Sequence, residues 1–445
     1  MTETHEATAA PSVLITNCVA LNGGDAAILY AVIDRLRAAL GPDLEITVVD
    51  DQPEDVRRRY PELSTTSRLD TTIRGTPAVP ILGRVVAEVE RGRVLAGAWC
   101  MGRRLSWLSR LWLSARSRSA LAIFRQSTAV VSTGGTYLVE RYPIAGRLLE
   151  LETALAMGRP LVLFTQSLGP FTHPRHRRVM RRIASRARLV LLRDERSRRE
   201  LTALGVSAEN LHVVADAAFA LSARPGSSRE ERLRVAVSVR SWPFGDGDVA
   251  TTNDRYRSAI VALVESLVRK RNADVTFLST CQGAPEYWTD DSSVAVAIAE
   301  QVDTALRSSV HVDRDFRTPQ ELLDAVGNFD LVVATRMHMA ILALVAGVPV
   351  FAIAYEPKTR ELFERLDMGR WVRDFEELDA IGLPADVDRF IDELPALTAP
   401  LQAAVESERR SAVDTASLVA RALDAERIAG ERRQPVRPAR TPGAP

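Results

Sequence analysis

The feature that most constrains the fold is a repeated alternation of short apolar segments with longer amphipathic ones. Residues 12–19 (SVLITNCV) predict a buried strand, residues 25–40 (DAAILYAVIDRLRAAL) an amphipathic helix, and residues 44–50 (LEITVVD) a second strand. A strand, a helix and a strand in this order predict a βαβ unit with parallel strands. The chain therefore opens in the manner of an α/β protein.

The same alternation continues through two successive stretches of the chain. In the first stretch, further apolar strands are predicted within residues 127–135, 159–170, 187–195 and 211–221. In the second stretch, strands are predicted within residues 233–244, 273–281, 310–316, 330–335 and 349–355. Helices are predicted near 254–271 and 291–307, and Thr318, Pro319 and Glu321 indicate the capped start of another helix.

The length of the chain predicts two domains, because 445 residues are too many for one compact core. The predicted fold class is α/β, with two doubly wound, Rossmann-like domains facing each other across a cleft. The predicted parts are a disordered tail (1–11), an N-terminal domain (12–222), a linker (223–232), a C-terminal domain (233–428) and a second disordered tail (429–445). Ligands of such sheets bind beyond the carboxyl ends of the strands, so functional residues are expected there.

The composition is typical of a soluble globular protein and argues against a nucleic-acid partner. The chain is 46% apolar and 26% charged, with a net charge of +1. The charge is unevenly distributed, since residues 101–200 contain 20 arginines and 6 acidic residues. This local excess predicts an anionic ligand or an anionic surface nearby.

The cysteines and the apolar runs bear on the compartment and on metals. Cys18, Cys100 and Cys281 are widely spaced and include no CxxC pair, which favours a reducing compartment and predicts no zinc site. No cofactor and no metal ion are predicted. The first residues lack the pattern of a signal peptide, and no apolar run reaches the ~18 residues of a membrane span, so we expect a cytoplasmic protein.

The triplet Arg336-Met337-His338 is the strongest candidate for a functional site. It lies where the strand DLVVAT ends and a very apolar helix begins. The free N–H groups of a helix N-terminus favour an anion, and an arginine fork adds bidentate recognition of phosphate or carboxylate. The alternative is that Arg336 pairs with a structural carboxylate and that His338 is an ordinary core histidine.

Other strand ends carry polar or glycine-rich tips that are predicted to face the same cleft. Asn22 and Asp25 flank two glycines after the first strand, where a purely structural turn is an equal alternative, and no GxGxxG fingerprint is present. Arg240 follows the first strand of the second domain. The remaining candidates for acceptor or cleft contacts are Gly134, Gly135, Thr136, Gln166, Arg193 and Glu356.

Taken together, these strand ends resemble those of the polysaccharide pyruvyl transferase family. The matching segments are NGGDAAI, STGGTYL, TQSLGP, LLRDERS, SVR, TRMHMAILALVAGVPV and AYEPKTREL, in the family's order. The segment TRMHMAILALVAGVPV with its Tyr-Glu-Pro-Lys continuation is the most specific. One departure is Met337, which stands where leucine is commoner.

The resemblance implies a fold like that of GT-B glycosyltransferases and a cytoplasmic enzyme of cell-surface or exopolysaccharide biosynthesis. The implied reaction transfers a pyruvyl group from phosphoenolpyruvate to a saccharide acceptor, forming a pyruvate ketal. Arg336, His338 and, less directly, Arg240 then match the family's phosphoenolpyruvate site, with His338 as the acid–base group. Met337 and Lys358 complete the predicted donor site, with a solvated helix cap as the alternative for Lys358.

Two alternatives follow from the same residues. A glutamate in a loop like that of Glu356 holds the ribose of nucleotide sugars in related folds, so a GT-B-type glycosyltransferase is the second function considered. Residues 103–118 (RRLSWLSRLWLSARSR) predict an amphipathic helix that contacts an anionic membrane, through which the chain would reach lipid-linked acceptors. The alternative for this helix is packing against its own domain.

Overall fold

The computed structural model describes residues 11–73, 80–103, 105–224, 232–241 and 249–431. Most of the predicted linker and nearly all of both predicted tails lie outside these ranges. The last helix ends at Glu431, three residues inside the predicted C-terminal tail. No helix in the described ranges combines the length and apolarity needed to cross a membrane.

The first half of the chain forms an eight-stranded sheet in which all neighbouring strands are parallel. Its order is β3-β2-β1-β4-β6-β7-β8, with β5 beside β6. The strands are β1 (Ser12–Cys18), β2 (Glu45–Asp50), β3 (Ser64–Ser67), β4 (Ala129–Ser132), β5 (Gly135–Leu138), β6 (Leu161–Leu168), β7 (Leu189–Leu192) and β8 (Leu211–Val213). The order reverses direction between β1 and β4.

The second half forms a six-stranded parallel sheet of order β11-β10-β9-β12-β13-β14. The strands are β9 (Arg234–Ser238), β10 (Asp274–Phe277), β11 (Val310–Val312), β12 (Leu331–Ala334), β13 (Val350–Ala354) and β14 (Val372–Asp374). This order reverses between β9 and β12. Both sheets are therefore doubly wound, and each has a switch point at which a crevice opens beyond the strand ends.

Helices connect the strands and cover both sheets. In the first half they are α1 (Gly23–Leu40), α2 (Pro53–Arg59), α3 (Leu69–Ile73), α4 (Pro80–Gly102), α5 (Ser106–Ser109), α6 (Ala115–Gln126), α7 (Ala145–Ala156), α8 (Pro174–Arg186) and α9 (Glu195–Ala203). In the second half they are α10 (Val249–Arg271), α11 (Asp291–Ala299), α12 (Pro319–Val326), α13 (Met337–Val345), α14 (Pro357–Arg365) and α15 (Gly382–Glu431). Short 3₁₀ helices are Ala208–Asn210, Ala217–Ala220, Thr304–Ser309, Gly369–Trp371 and Phe375–Glu377.

The start of α12 shows how closely local sequence determined an element boundary. Thr318 caps the helix by accepting a hydrogen bond from the Glu321 backbone N–H, and the Glu321 carboxylate accepts one from the Thr318 backbone N–H. This reciprocal pair is a capping box, and Pro319 occupies the first helical position. The predicted helix start is confirmed.

The predicted single helix over 103–118 is wrong. Helix α4 ends at Gly102, α5 covers one turn, and α6 begins only at Ala115. The break before α6 has a local cause, since the Ser114 side chain accepts a hydrogen bond from the Ser117 N–H and so caps a new helix.

Alternate residues of the first sheet pack against different helices. Val13, Ile15 and Val131 belong to an apolar cluster that continues through the second sheet, whereas Leu14 and Val130 belong to a cluster on the opposite face. Both faces of the sheet are thus buried, as a parallel sheet requires. Helix α15 packs against α10 and also against α1 and the 3₁₀ helix Ala217–Ala220, so it contacts both halves of the chain.

Candidate active site

A cavity of about 380 Å³ lies between the carboxyl ends of the two sheets. This volume is within the ~300–1,000 Å³ typical of small-molecule sites. Residues from both halves of the chain line it, as predicted for a cleft between doubly wound sheets. The predicted site residues that it brings together are Asn22, Asp25, Thr136, Arg240, Arg336, Met337, His338, Glu356 and Lys358.

The N-terminus of α1 is the point of closest approach between the two halves. Asn22, rather than Asp25, caps the helix, because its side chain accepts a hydrogen bond from the Gly24 N–H at 3.0 Å. The Gly23 N–H donates to the Thr280 carbonyl of the other half at 2.9 Å. A Cβ at Gly23 would lie 2.6 Å from that carbonyl oxygen, and one at Gly24 would lie 2.6 Å from the His338 ring. The paired glycines therefore allow His338 to reach the cleft.

Arg336 is held by a buried carboxylate. Its Nε and Nη2 donate to Asp291 at 2.8 and 2.6 Å, and Asp291 also accepts from the Ser279 hydroxyl. Among the described residues, Nη1 of Arg336 has no partner, and the side chain lines the cavity. The structural alternative weighed from the sequence is thus present, and one edge of the guanidinium still faces the cavity.

His338 lies in the first turn of α13 beside a buried pair of charges. Its Nε2 is 3.7 Å from Asp216 Oδ2, which is too long for a hydrogen bond, so the contact is electrostatic. Arg193 donates to the same Asp216 oxygen. Burial opposes ionisation of Asp216, but Arg193 and then His338 hold the pKa of this carboxyl well below its ordinary value. Asp216 is therefore a permanent negative charge beside the imidazole.

Arg240 follows β9 and lies flat against an aromatic ring. Its guanidinium carbon is 4.3 Å from the centre of the Tyr355 ring, and its side chain is almost fully buried. Its backbone N–H donates to the Tyr256 hydroxyl, which in turn contacts the Thr335 hydroxyl at 2.9 Å. A stacked guanidinium of this kind presents its N–H edge in a fixed direction.

Lys358 stands at the opposite wall of the cavity. Its Nζ is 2.7 Å from Glu356 and donates to the Thr136 hydroxyl at 3.3 Å. Burial opposes protonation of Lys358, yet the Glu356 carboxylate raises its pKa above the ordinary value. Glu356 also pairs with Arg141 at 2.9 Å, so this carboxylate is shared by two cations. The alternative of a merely solvated helix cap does not describe this lysine.

The sequence analysis missed several charged residues of the cavity wall. Arg68 and Arg147 line it, with Asp51 2.9 Å from Arg68 and 3.8 Å from Arg147. Asp50 also lines it, accepting hydrogen bonds from the Ala20 and Gln52 N–H groups, and burial raises its pKa. Asp50 ends β2, so the strand-end rule could have found it.

Asp291 and Asp216 were missed for a different reason. Asp291 belongs to a helix start far along the chain from Arg336, and nothing local in the sequence pairs the two. Asp216 interrupts the apolar run LHVVADAAFAL, and this interruption was a usable signal.

Four predicted contacts lie outside the cavity lining, and this corrects the prediction for them. Gly134 packs against the neighbouring strand, where a Cβ would lie 2.4 Å from Thr165 Oγ1. Gly135 has φ of 127°, which glycine adopts readily. Gln166 is fully buried and donates to the Ser132 carbonyl. Arg193 is buried and acts on the cavity only through Asp216 and Thr136.

A second cavity of about 390 Å³ adjoins the first. The two share Thr136, Glu356 and Lys358 as lining residues. The second cavity has a more acidic wall, to which Glu140, Asp194 and Glu361 contribute. Glu361 has no ion-pair or hydrogen-bond partner among the described residues, and burial followed by the nearby Asp194 raises its pKa.

No group of three or more His, Cys, Asp or Glu side chains in the described ranges is arranged to hold a metal ion. The cations lining the first cavity are side chains, namely Arg68, Arg147, Arg240, Arg336 and Lys358. The arrangement can bind an anion and can place an imidazole and a lysine beside it.

The two doubly wound sheets and the cavity between them define a protein of the GT-B-like fold class, as predicted. The chain is similar to the HepE protein of Anabaena in complex with UDP-glucose (TM-score 0.54, 13% identity, 94% of this chain and 99% of that one). It is also similar to the UDP-GlcNAc 2-epimerase of Methanocaldococcus jannaschii (TM-score 0.51, 10% identity, 92% and 98%). These similarities concern the fold.

The family follows from the sequence match. The model of the polysaccharide pyruvyl transferase family matches residues 22–357, and the chain belongs to this family. The amylovoran biosynthesis protein AmsJ of Erwinia amylovora is 24% identical over 412 residues, which cover 89% of this chain and 95% of that protein. The protein is therefore a transferase of polysaccharide biosynthesis.

Proposed function

We propose that the chain transfers a pyruvyl group from phosphoenolpyruvate to a saccharide, either free or carried on a lipid, and forms a pyruvate ketal. The observation that carries the proposal is the convergence of Arg240, Arg336 and Lys358 with His338 at the N-terminus of α13, inside the interdomain cavity. Phosphoenolpyruvate carries a phosphate and a carboxylate on three carbons. Two guanidinium groups, an ammonium group and a helix N-terminus suit such a double anion.

The reaction needs one proton delivered and two removed. A proton is added to the methylene carbon of phosphoenolpyruvate, and a sugar hydroxyl attacks the adjacent carbon and loses its proton. A second hydroxyl then attacks the same carbon, the bond to phosphate breaks, and the second hydroxyl proton leaves with the phosphate. We assign the first proton transfers to His338, because imidazole exchanges protons near neutral pH and Asp216 stabilises its charged form.

We propose that the acceptor saccharide extends into the second cavity. This cavity joins the first at Thr136, Glu356 and Lys358, so a sugar bound there could present its hydroxyls to the donor. Carboxylates such as Glu140 and Asp194 accept hydrogen bonds from sugar hydroxyls without attracting a second anion. Donor and acceptor would thus be separated by the charge of the walls.

The test is to incubate the full chain with phosphoenolpyruvate or with nucleotide sugars, each with a panel of saccharides. Release of phosphate from phosphoenolpyruvate that depends on a saccharide, with a pyruvate ketal in the product by NMR, supports the proposal. Release of a nucleoside diphosphate from a nucleotide sugar, with phosphoenolpyruvate inert, would establish the glycosyltransferase alternative instead.

The variant His338→Ala tests the acid–base assignment. We expect turnover to fall by about 10²–10⁴ with phosphoenolpyruvate binding largely kept. The matched control is His311→Ala, which changes an exposed histidine of β11 and should leave turnover unchanged. Full turnover by His338→Ala would remove this residue from the mechanism.

A further inference from the structure

A solvent-exposed apolar and basic surface lies where α4 meets α5, away from the cavity lining. Trp107 is 60% exposed, Leu111 is 74% exposed and Trp99 is 45% exposed. Exposed arginines surround them, including Arg103 and Arg110. We call these five residues the tryptophan surface.

The fold itself turns these apolar side chains outward. In the loop after α5, Trp112 turns inward, since its indole N–H donates to the Arg93 carbonyl of α4 at 3.1 Å, and Leu113 is buried. The neighbouring Trp107 and Leu111 are left outside this contact. A surface with two exposed indoles and a leucine in about one helical turn of chain is unusual for a face that meets only water.

The charge around the tryptophan surface has one sign. Residues 91–139 contain eight arginines and no aspartate or glutamate. The acidic residue that precedes this range, Glu90, is paired with Arg93 at 2.8 Å. Arg103 also lies over the Trp99 ring at 4.3 Å, which couples a cation directly to an exposed indole.

We propose that the tryptophan surface docks the chain on an anionic lipid bilayer. Indole rings and arginines together suit the interface of a bilayer, where rings enter the boundary layer and guanidinium groups meet anionic headgroups. A second copy of the chain fits less well, because a symmetric self-contact would place the same arginines against each other. The surface is assembled from α4, α5 and the loop that follows, and needs no continuous amphipathic helix.

The position of this surface gives the proposal a consequence, which, unlike the surface itself, rests on the proposed function. Gly102, at the end of α4, approaches the backbone of Met157 at the end of α7. Arg147, which lines the first cavity, precedes Met157 by ten residues, or about 15 Å along the helix. A chain docked by this surface would hold its cavity near saccharides anchored in the bilayer.

The test is sedimentation of the full chain with vesicles of phosphatidylcholine, alone or mixed with phosphatidylglycerol. We expect binding to the mixed vesicles that weakens as salt is raised. The double variant Trp107→Ser with Leu111→Ser should reduce the bound fraction by about tenfold or more, and so should Arg103→Glu with Arg110→Glu. The controls Ile381→Ser and Arg409→Glu change exposed residues elsewhere and should bind as the unmodified chain does.

Three outcomes would overturn the proposal. The first is absence of binding to the mixed vesicles, and the second is equal binding by the surface variants and the controls. The third is self-association without vesicles that the surface variants abolish, which would assign the surface to a second copy. Because Arg110→Glu changes only an exposed charge, this single variant keeps the test decisive if the apolar double variant folds poorly. Phosphate release from phosphoenolpyruvate with a soluble saccharide should be unchanged in all surface variants.

Discussion

Replacing Arg336 by alanine should damage both stability and donor binding, and the two effects can be separated. The guanidinium and the Asp291 carboxylate form a buried bidentate pair at 2.6 and 2.8 Å. Removing one partner of such a pair leaves an unpaired buried charge and costs about 3–5 kcal/mol. The Ser279 hydroxyl still donates to Asp291 at 2.9 Å, so we expect the lower end of that range.

The assay is urea unfolding followed by circular dichroism, in a double-mutant cycle. Arg336→Ala should lower the unfolding free energy by about 3 kcal/mol, which is roughly two orders of magnitude in the folding equilibrium. Adding Asp291→Asn to Arg336→Ala removes the uncompensated charge, so the double variant should recover at least about half of the loss. An unfolding midpoint of Arg336→Ala equal to that of the unmodified chain would refute the buried pair.

Calorimetric titration with phosphoenolpyruvate then tests the second role. The free Nη1 edge faces the cavity, so we expect weaker donor binding by Arg336→Ala under conditions where the variant is folded. Arg336→Lys keeps the charge but not the fork, and should bind the donor with intermediate affinity. Lost stability with unchanged donor binding would show that Arg336 is structural only.

Three further predictions concern single residues. The folded-state pKa of buried Glu150 is raised to about 7, chiefly by burial, above its ordinary 4.5, so the folded chain holds a proton that the unfolded chain releases. Its unfolding free energy should fall by about 3 kcal/mol as pH rises through this window, and Glu150→Gln, measured by urea unfolding at pH 5 and pH 8 (both ~), should lack that fall. Thr318→Ala removes the cap that Glu321 completes and should cost about 1 kcal/mol in the same assay, whereas no change would contradict the capping box. Lys358→Met should weaken donor binding in calorimetry and leave Glu356 paired with Arg141, and unchanged binding would remove the lysine from the donor site.

The fold was largely predictable because its signals are local. Apolar runs such as residues 12–19 and their polar ends mark buried parallel strands, and Thr318 with Glu321 marks a helix start. The region 103–118 misled the analysis because its spacing of leucines and tryptophans fits one helix. Ser114 caps a new helix within it, and side-chain competition of this kind is hard to weigh against periodicity.

The candidate site was predictable only in part. Residues that follow strands and start helices, such as Arg336, His338 and Arg240, line the cavity together because parallel strands end at one edge. Their partners depend on long-range packing. Asp291 precedes Arg336 by 45 residues, and Asp216 reaches His338 from the other half of the chain, so neither pairing has a local signature.

Helix α15 makes the two halves of this chain a single unit of folding. It begins beside the second sheet, and its Ser411 hydroxyl then accepts a hydrogen bond from the Ala215 N–H of the first half at 3.0 Å. Its Glu408 pairs with Arg365 of α14, and its Val419 is fully buried in the apolar cluster common to both sheets. A fragment that stops before Gly382 would leave a strip of that cluster open to water. The halves should therefore not survive separate expression, and heating the whole chain should give one cooperative transition.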